Sequence, residues 1–153
     1  MTELLSLAVR RVLARDCPTR AGAPEAVARA VAAEVAAAEA AGERGNGMEA
    51  LLRDIRLMRY GRLLAASQPQ LVRARPGFAR LDAQHGFAAA ALSGAISELA
   101  ALTRAQGIAV LRLDHSSDPG GMICATANLA ERGLAVLAFG PEGPGRVGHP
   151  DLS

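Results

Sequence analysis

Between Gly77 and Phe139, short apolar runs alternate with long alanine-rich stretches, and few architectures accommodate that alternation. Gly77–Ala83 (GFARLDA) reads as a strand and Gly86–Gln106 as a long helix stopped by Gly107. Ile108–Leu113 (IAVLRL) reads as a strand, Pro119–Arg132 as a helix and Leu134–Phe139 (LAVLAF) as a third strand. A strand–helix–strand–helix–strand order implies parallel pairing through right-handed crossovers. Upstream the spacing is helical. Leu4, Leu7, Ala8 and Val12 predict a helix over 2–15, followed by a turn from Cys17 to Gly22. Pro24 opens a second helix at its first position, with Val27, Val31 and Val35 as its buried stripe. Gly42–Gly47 interrupts it, and Met48–Ala66 is a third helix with Leu51, Leu52, Ile55 and Met58 facing inward. Ser67–Pro76 reads as a loop or extended stretch. The fold class is therefore α/β: an N-terminal three-helix segment followed by a small parallel β-α-β-α-β unit. We expect one domain over 1–140, helical over 1–66 and β-α-β-α-β over 77–140, with a Gly/Pro-rich tail over 141–153.

A parallel sheet of three strands needs cover on both faces. The first three helices can provide some of it and a partner chain the rest. The composition agrees: 34 alanines, no Trp, one Tyr and three Phe bury little area per side chain, so helices must pack closely. A subunit that completes its core against a partner would have the same composition. All 17 basic residues are Arg, which excludes a Schiff-base lysine, a lysine general base and a P-loop lysine. Net charge is +2, too small to imply a polyanionic partner, although the basic residues concentrate between 44 and 80. Cys17 and Cys124 have no metal-ligand or CxxC spacing, and with no secretory signal they suggest a reducing cytoplasm. Arginine or acid breaks every apolar run before the roughly 20 residues of a membrane span, so no membrane association is expected.

Four stretches carry a resemblance to a known family. They are Gly22–Glu39 (GAPEAVARAVAAEVAAAE), Gly42–Arg53 (GERGNGMEALLR), His85–Gly107 (HGFAAAALSGAISELAALTRAQG) and Ile108–Leu134 (IAVLRLDHSSDPGGMICATANLAERGL). In order and junction sequence they resemble the malate/L-lactate dehydrogenases of type II, the group that includes sulfolactate and ureidoglycolate dehydrogenases. The resemblance implies a homodimeric, NAD(P)-dependent fold acting on 2-hydroxy acids or cyclic imino acids. It reaches only the first part of a full-length member and leaves the later cofactor-binding part without a counterpart. It also implies loss of chemistry. The family's S-N-H-F-G turn reads Ser116-Ser117-Asp118-Pro119-Gly120 here, so Asp118 stands where that family has its acid/base histidine. An aspartate, ordinarily ionised at neutral pH, is a poor proton donor there and repels a carboxylate substrate. In the family's G-H-x-S-H-G segment, the histidines and serine fall on Glu43, Asn46 and Gly45, and the substrate-clamping arginine falls on Ala50. Arg53 lies three residues further on.

The candidate catalytic residues are therefore Asp118, His115, Ser117 and His85, and the ligand-binding candidates are Asp114, Asn46, Glu43 and Arg53. Asp114–Asp118 follows the C-terminal end of a predicted parallel strand, where open α/β sheets bind ligands. The competing structural reading is a polar loop in which Asp118 caps the helix starting at Pro119. Arg53, Arg56, Arg59 and Arg62 spread over half of a helix, a solvated face or a surface for an anionic partner. Few aromatics and no recognisable module argue against nucleic acid. Gly140–Gly148 lacks the lysine and helix of a phosphate loop, and Cys124 reads as packed rather than reactive. The functional expectation is a degenerate, non-catalytic relative of that family in a homo- or hetero-oligomer. It would bind no cofactor in the isolated chain, and NAD(P) only if a partner supplies the missing domain. The alternatives are a binder of small 2-oxo or 2-hydroxy acids, or an oxidoreductase subunit beside such a partner.

Overall fold

The structure, a computed structural model, describes residues 6–118, 120 and 122–140. The elements run α1 (Leu7–Arg20), α2 (Glu25–Ala40), a 3-10 turn (Arg44–Asn46), α3 (Met48–Arg59), β1 (Gln70–Arg75), β2 (Phe78–Gly86), α4 (Ala88–Gln106), β3 (Val110–Ser116) and α5 (Ile123–Glu131). Helices thus precede a β-α-β crossover, and the α/β class stands. The expected start of the first helix at residue 2 and the tail over 141–153 lie outside the described residues.

The sheet differs from expectation. It has three strands in the order β1-β2-β3, with β2 and β3 parallel and β1 antiparallel to β2. Leu71 pairs with Leu81, and Leu81 with Leu113. The Ser67–Pro76 stretch therefore contributes a hairpin strand, closed at Gly77 with φ +70°. The expected third parallel strand, Leu134–Phe139, joins no ladder. It keeps the alternation of a strand, because Leu134 and Val136 pack against Ile96, Ala100 and Leu129. Leu137 and Phe139 point to solvent, 85% and 88% exposed.

Helix boundaries also move. Helix α1 continues through Pro18 to Arg20 instead of turning at Cys17. The proline ring costs the Ala14 carbonyl its bond, but Ala14 and Pro18 are both buried to completion. The last turn closes through Ala21 N–H to Cys17 O and Ala23 N–H to Pro18 O, at 3.1 and 2.9 Å. Pro24 is the residue before α2 rather than its first, with ψ 148°. Helix α3 stops at Arg59 because Gly61 adopts φ +66° and turns the chain. Leu63 then returns to the core, while Leu52, one residue off the buried stripe, stays 52% exposed.

The core has three parts. Ala14, Val31, Val35, Leu51, Leu63 and Phe87 join the first three helices to the start of α4. Leu81 and Ala83 of the sheet meet Ala91 and Ala95 of α4, and alanine at these contacts lets the helix lie close to the strands. The cluster around Ile96, Ala100 and Leu129 holds α5 on α4. Helices α1–α3 pack on one another, on α4 and on α5 rather than on the sheet. The expectation that they would cover its second face is corrected. That face carries Arg80, Asp82, Arg112 and Asp114 together with Val72 and Val110, both more than half exposed. Among the described residues, no helix is long and apolar enough to cross a membrane.

Two carboxylates on α2 fasten other helices at their N-termini. Glu34 accepts the N–H groups of Ile123 and Cys124, at 2.7 and 3.0 Å, at the start of α5. Glu39 accepts the Met48 N–H at 2.8 Å at the start of α3 and is paired with Arg10. A methyl group on Gly47 would overlap the Glu39 carboxylate, so the α3 cap depends on a glycine there. Unmatched N–H groups and the helix dipole both favour a carboxylate at these points. Glu34→Ala is expected to lower unfolding free energy by about 1–2 kcal/mol in urea titration. The loss should be accompanied by faster hydrogen exchange at the Ile123 and Cys124 amides.

Candidate functional site

The turn that follows β3 separates its polar residues into three environments. Asp114, the last outward-facing acid on the strand, lies between two guanidinium groups: Arg80 Nε at 2.5 Å and Arg112 Nε at 2.8 Å. The hydrogen bond from Arg80, followed by that from Arg112, holds its carboxyl below the usual carboxylate range. Asp114 is thus committed to the open sheet face.

His115 turns away from that pair, with φ +49°. Its Nδ1 lies 3.1 Å from both carboxylate oxygens of Asp82. Its ring centroid is 5.4 Å from that of His85. Gln84 and His85 also have left-handed backbones, φ +51° and +59°, at the point where the parallel ladder breaks between Asp82 and Gly86. Few residues other than glycine adopt this conformation, and Asp82 supports it by accepting the Gln84 N–H at 2.9 Å. That bond, and next the one with His115, depress the Asp82 carboxyl below its ordinary value. His85 and His115 thus lie together, and the carboxylate bonded to His115 is Asp82 rather than Asp114 or Asp118. No group of three His, Cys, Asp or Glu side chains among the described residues could hold a metal ion.

Ser117 and Asp118 face the other way. Ser117 is buried, and its hydroxyl accepts the Ala88 N–H at 3.1 Å, which caps α4. Asp118 does not cap α5, which begins at Ile123 and is capped by Glu34. It accepts the Gly120 N–H at 3.0 Å and pairs with Arg53 Nη2 at 3.3 Å. Asp118 and Ser117 line a small recess, partly open to solvent, with a cavity volume of about 40 Å³. Val31, Glu34 and Val35 of α2, Asn46, Ala50, Leu51 and Asp54 around α3, Phe87 and Ala89 at the head of α4, and Gly120 complete its wall. Asn46 donates from Nδ2 to Glu43 Oε2 at 2.7 Å, which turns its carbonyl oxygen toward Gly120. The pocket therefore gathers Asn46, Ser117 and Asp118, with Glu43 and Arg53 adjoining, and excludes His85, His115 and Asp114.

Asp54 was absent from the sequence-based candidates. It is 7% exposed, and its Oδ1 has no hydrogen-bond partner. Arg53 Nε, at 3.7 Å, is within ion-pair range but too far to bond it. Burial pushes its carboxyl up to about 6, against the opposing charge of Arg53 and with some help from Asp118. A signal was present in the chain: Asp54 lies three residues after Leu51 and four before Met58, a carboxylate on an apolar stripe. Cys124 is a different case. Burial, and then the Glu34 carboxylate, push its thiol up to about 12, so it is packed and unreactive.

A profile of the malate/L-lactate dehydrogenase family matches residues 6–147. The chain is 33% identical over 135 residues to a Delta(1)-pyrroline-2-carboxylate reductase of Ancylobacter novellus, covering 88% of this chain and 40% of that protein. It is 33% identical to a Delta(1)-pyrroline-2-carboxylate/Delta(1)-piperideine-2-carboxylate reductase of Pseudomonas putida, covering 78% and 35%. The chain thus spans about 40% or less of the length of these curated relatives. Among solved structures it superposes on a delta1-piperideine-2-carboxylate reductase from Pseudomonas syringae with TM-score 0.69 and 26% identity, covering 77% of this chain and 36% of that one. A malate dehydrogenase from Pyrococcus horikoshii gives TM-score 0.71 at 19% identity, covering 84% and 37%, a likeness of fold alone.

The Asp54 carboxyl binds its proton more tightly in the folded chain than in the unfolded one. Its effect on stability is therefore absent below the ordinary value near 3.8 and unfavourable once pH has risen past about 6. Asp54→Asn is expected to raise the melting temperature at neutral and alkaline pH, by up to about 3 kcal/mol of stability, and to change little near pH 4. A thermal melt series across this range checks it; a lowered melting temperature at neutral pH would mean that Asp54 is well paired.

Proposed function

The chain belongs to the malate/L-lactate dehydrogenase family, and from that premise we propose that it keeps the family's framework without its proton chemistry, as a subunit of a homo- or hetero-oligomer. One observation carries this reading: Asp118, at the position where the resemblance puts the acid/base histidine, is ion-paired with Arg53. Its oxygens are taken up by Arg53 and the Gly120 N–H, so no imidazole-like proton relay stands at this position. Asn46 is bonded to Glu43, and Ala50 offers no clamp for a substrate acid. The open sheet face and the exposed Leu137 and Phe139 are surfaces that a second chain could cover.

The nicotinamide nucleotide of the family needs a place for its pyrophosphate, commonly the N-terminus of a helix. In this chain the N-termini of α3, α4 and α5 already hold Glu39, Ser117 and Glu34. These three N-termini therefore offer the pyrophosphate no open place, and no step through the nucleotide is assigned to the described residues. A second reading carries the relatives' activity over: with the nucleotide held by residues outside the described ones, the chain serves an oxidoreductase of small 2-oxo, 2-hydroxy or imino acids.

The purified chain, given NADH or NADPH with pyruvate or Delta(1)-pyrroline-2-carboxylate, is expected to show no turnover above the protein-free rate. Sedimentation is expected to show a dimer or larger species. Measurable turnover would overturn the loss of chemistry, and a stable monomer at high concentration would overturn the subunit role.

A further inference from the structure

We propose that the groove where the loop after α3 meets the end of β2 binds a monocarboxylate with a short to medium hydrocarbon chain. This goes beyond the subunit reading and does not rest on it. The groove has a cavity volume of about 790 Å³ and shares no wall residue with the recess at Asp118. A volume of that size accommodates a small organic ligand.

Particular contacts fix its walls. The Leu64 N–H donates to the His85 carbonyl at 2.8 Å, which ties the loop after α3 to the end of β2. A methyl group on Gly86 would overlap the Ser67 hydroxyl and crowd the Ala83 carbonyl, so this approach requires a glycine. Gln84 and His85, with their left-handed backbones, both line the groove. Such conformations are costly for residues other than glycine and gather at binding and catalytic sites. The His85 ring is further set by that of His115, 5.4 Å away.

The lining selects the ligand. Met58, Leu63 and Leu64 give an apolar surface, on which Leu64 is 48% exposed. Ser67, Gln68, Gln84 and His85 add polar groups, each able to donate a hydrogen bond. None of the described residues lining the groove is an acid. Asp82, two residues before Gln84, is already occupied by His115 and the Gln84 N–H. Arg20 and Arg62 are the chain neighbours of Ala21 and Leu63 in the wall and are exposed. Among the described residues, neither is paired with a carboxylate. Uncommitted guanidinium groups beside a groove raise its attraction for anions. Donors, positive charge and an apolar surface together fit a hydrocarbon chain that ends in a carboxylate. An ammonium group would meet the same two guanidinium groups and no acid in the wall.

Titration calorimetry of the full chain with sodium acetate, butanoate, hexanoate and octanoate, and with octylammonium chloride, tests the assignment. Octanoate is expected to bind saturably, and octylammonium much more weakly. Affinity should rise about two- to fourfold for each CH2 added along the acid series, as burial of the chain requires. Leu64→Glu puts an acid into the wall at a half-exposed position and should weaken octanoate by about tenfold or more. His85→Asn suits the left-handed backbone but withdraws the imidazole, and should weaken octanoate by about fivefold. Absence of saturable octanoate binding, equal binding of octylammonium, or one affinity from acetate to octanoate would each overturn the proposal. So would an unchanged octanoate affinity in both variants when folded.

Discussion

Two carboxylates on one helix hold the helical layer to the rest of the molecule. Glu34 and Glu39 are five residues apart on α2, so they point to different sides of it, and each ends at the amide groups that open another helix. Without them, α3 and α5 would begin with buried or half-buried N–H groups lacking acceptors. Apolar contact through Val31, Val35, Leu51, Leu63 and Phe87 draws the helices together without direction. The charged caps add the directionality that apolar burial lacks. They also shape the pocket: α3 brings Asn46, Ala50 and Asp54 to one side, and the approach to α5 brings Ser117 and Asp118 to the other.

Legibility in the sequence followed the range of the interaction concerned. Helix α4 and the parallel strands β2 and β3 were readable because glycine and apolar runs delimit them locally. Strand β1 was not, since every residue of Gln70–Arg75 except Leu71 is exposed and its alternation is faint. The start of α5 was misread for a plainer reason. Asp118 has the composition of a local cap, but the true cap is Glu34, at a sequence separation of 89. The end of α1 was misplaced because a proline near the last turn loses only one bond, and burial offsets it.

The candidate site was legible in part. Asn46, Ser117 and Asp118 line one recess, and Glu43 and Arg53 adjoin it. His115 and His85 meet elsewhere, because strand alternation and a left-handed residue at 115 send His115 to the side of Asp82. Asp114 is held by two arginines on the open face. Asp54 went unnoticed among the flanking arginines. Its position on an apolar stripe distinguishes it physically from the acids of the surface.

The long reach of the Glu34 cap has a consequence for how the chain acquires its shape. Helices α1, α2 and α3 can associate as soon as they exist, and the β1–β2 hairpin closes over a short loop. The amides that satisfy Glu34 belong to Ile123 and Cys124, so on the ribosome the carboxylate waits through the synthesis of the whole sheet and α4. Bringing such distant segments together costs more loop entropy than closing the hairpin or the first three helices. The nascent helical layer therefore stays unlatched, with one acidic side chain hydrated, until α5 has left the exit tunnel.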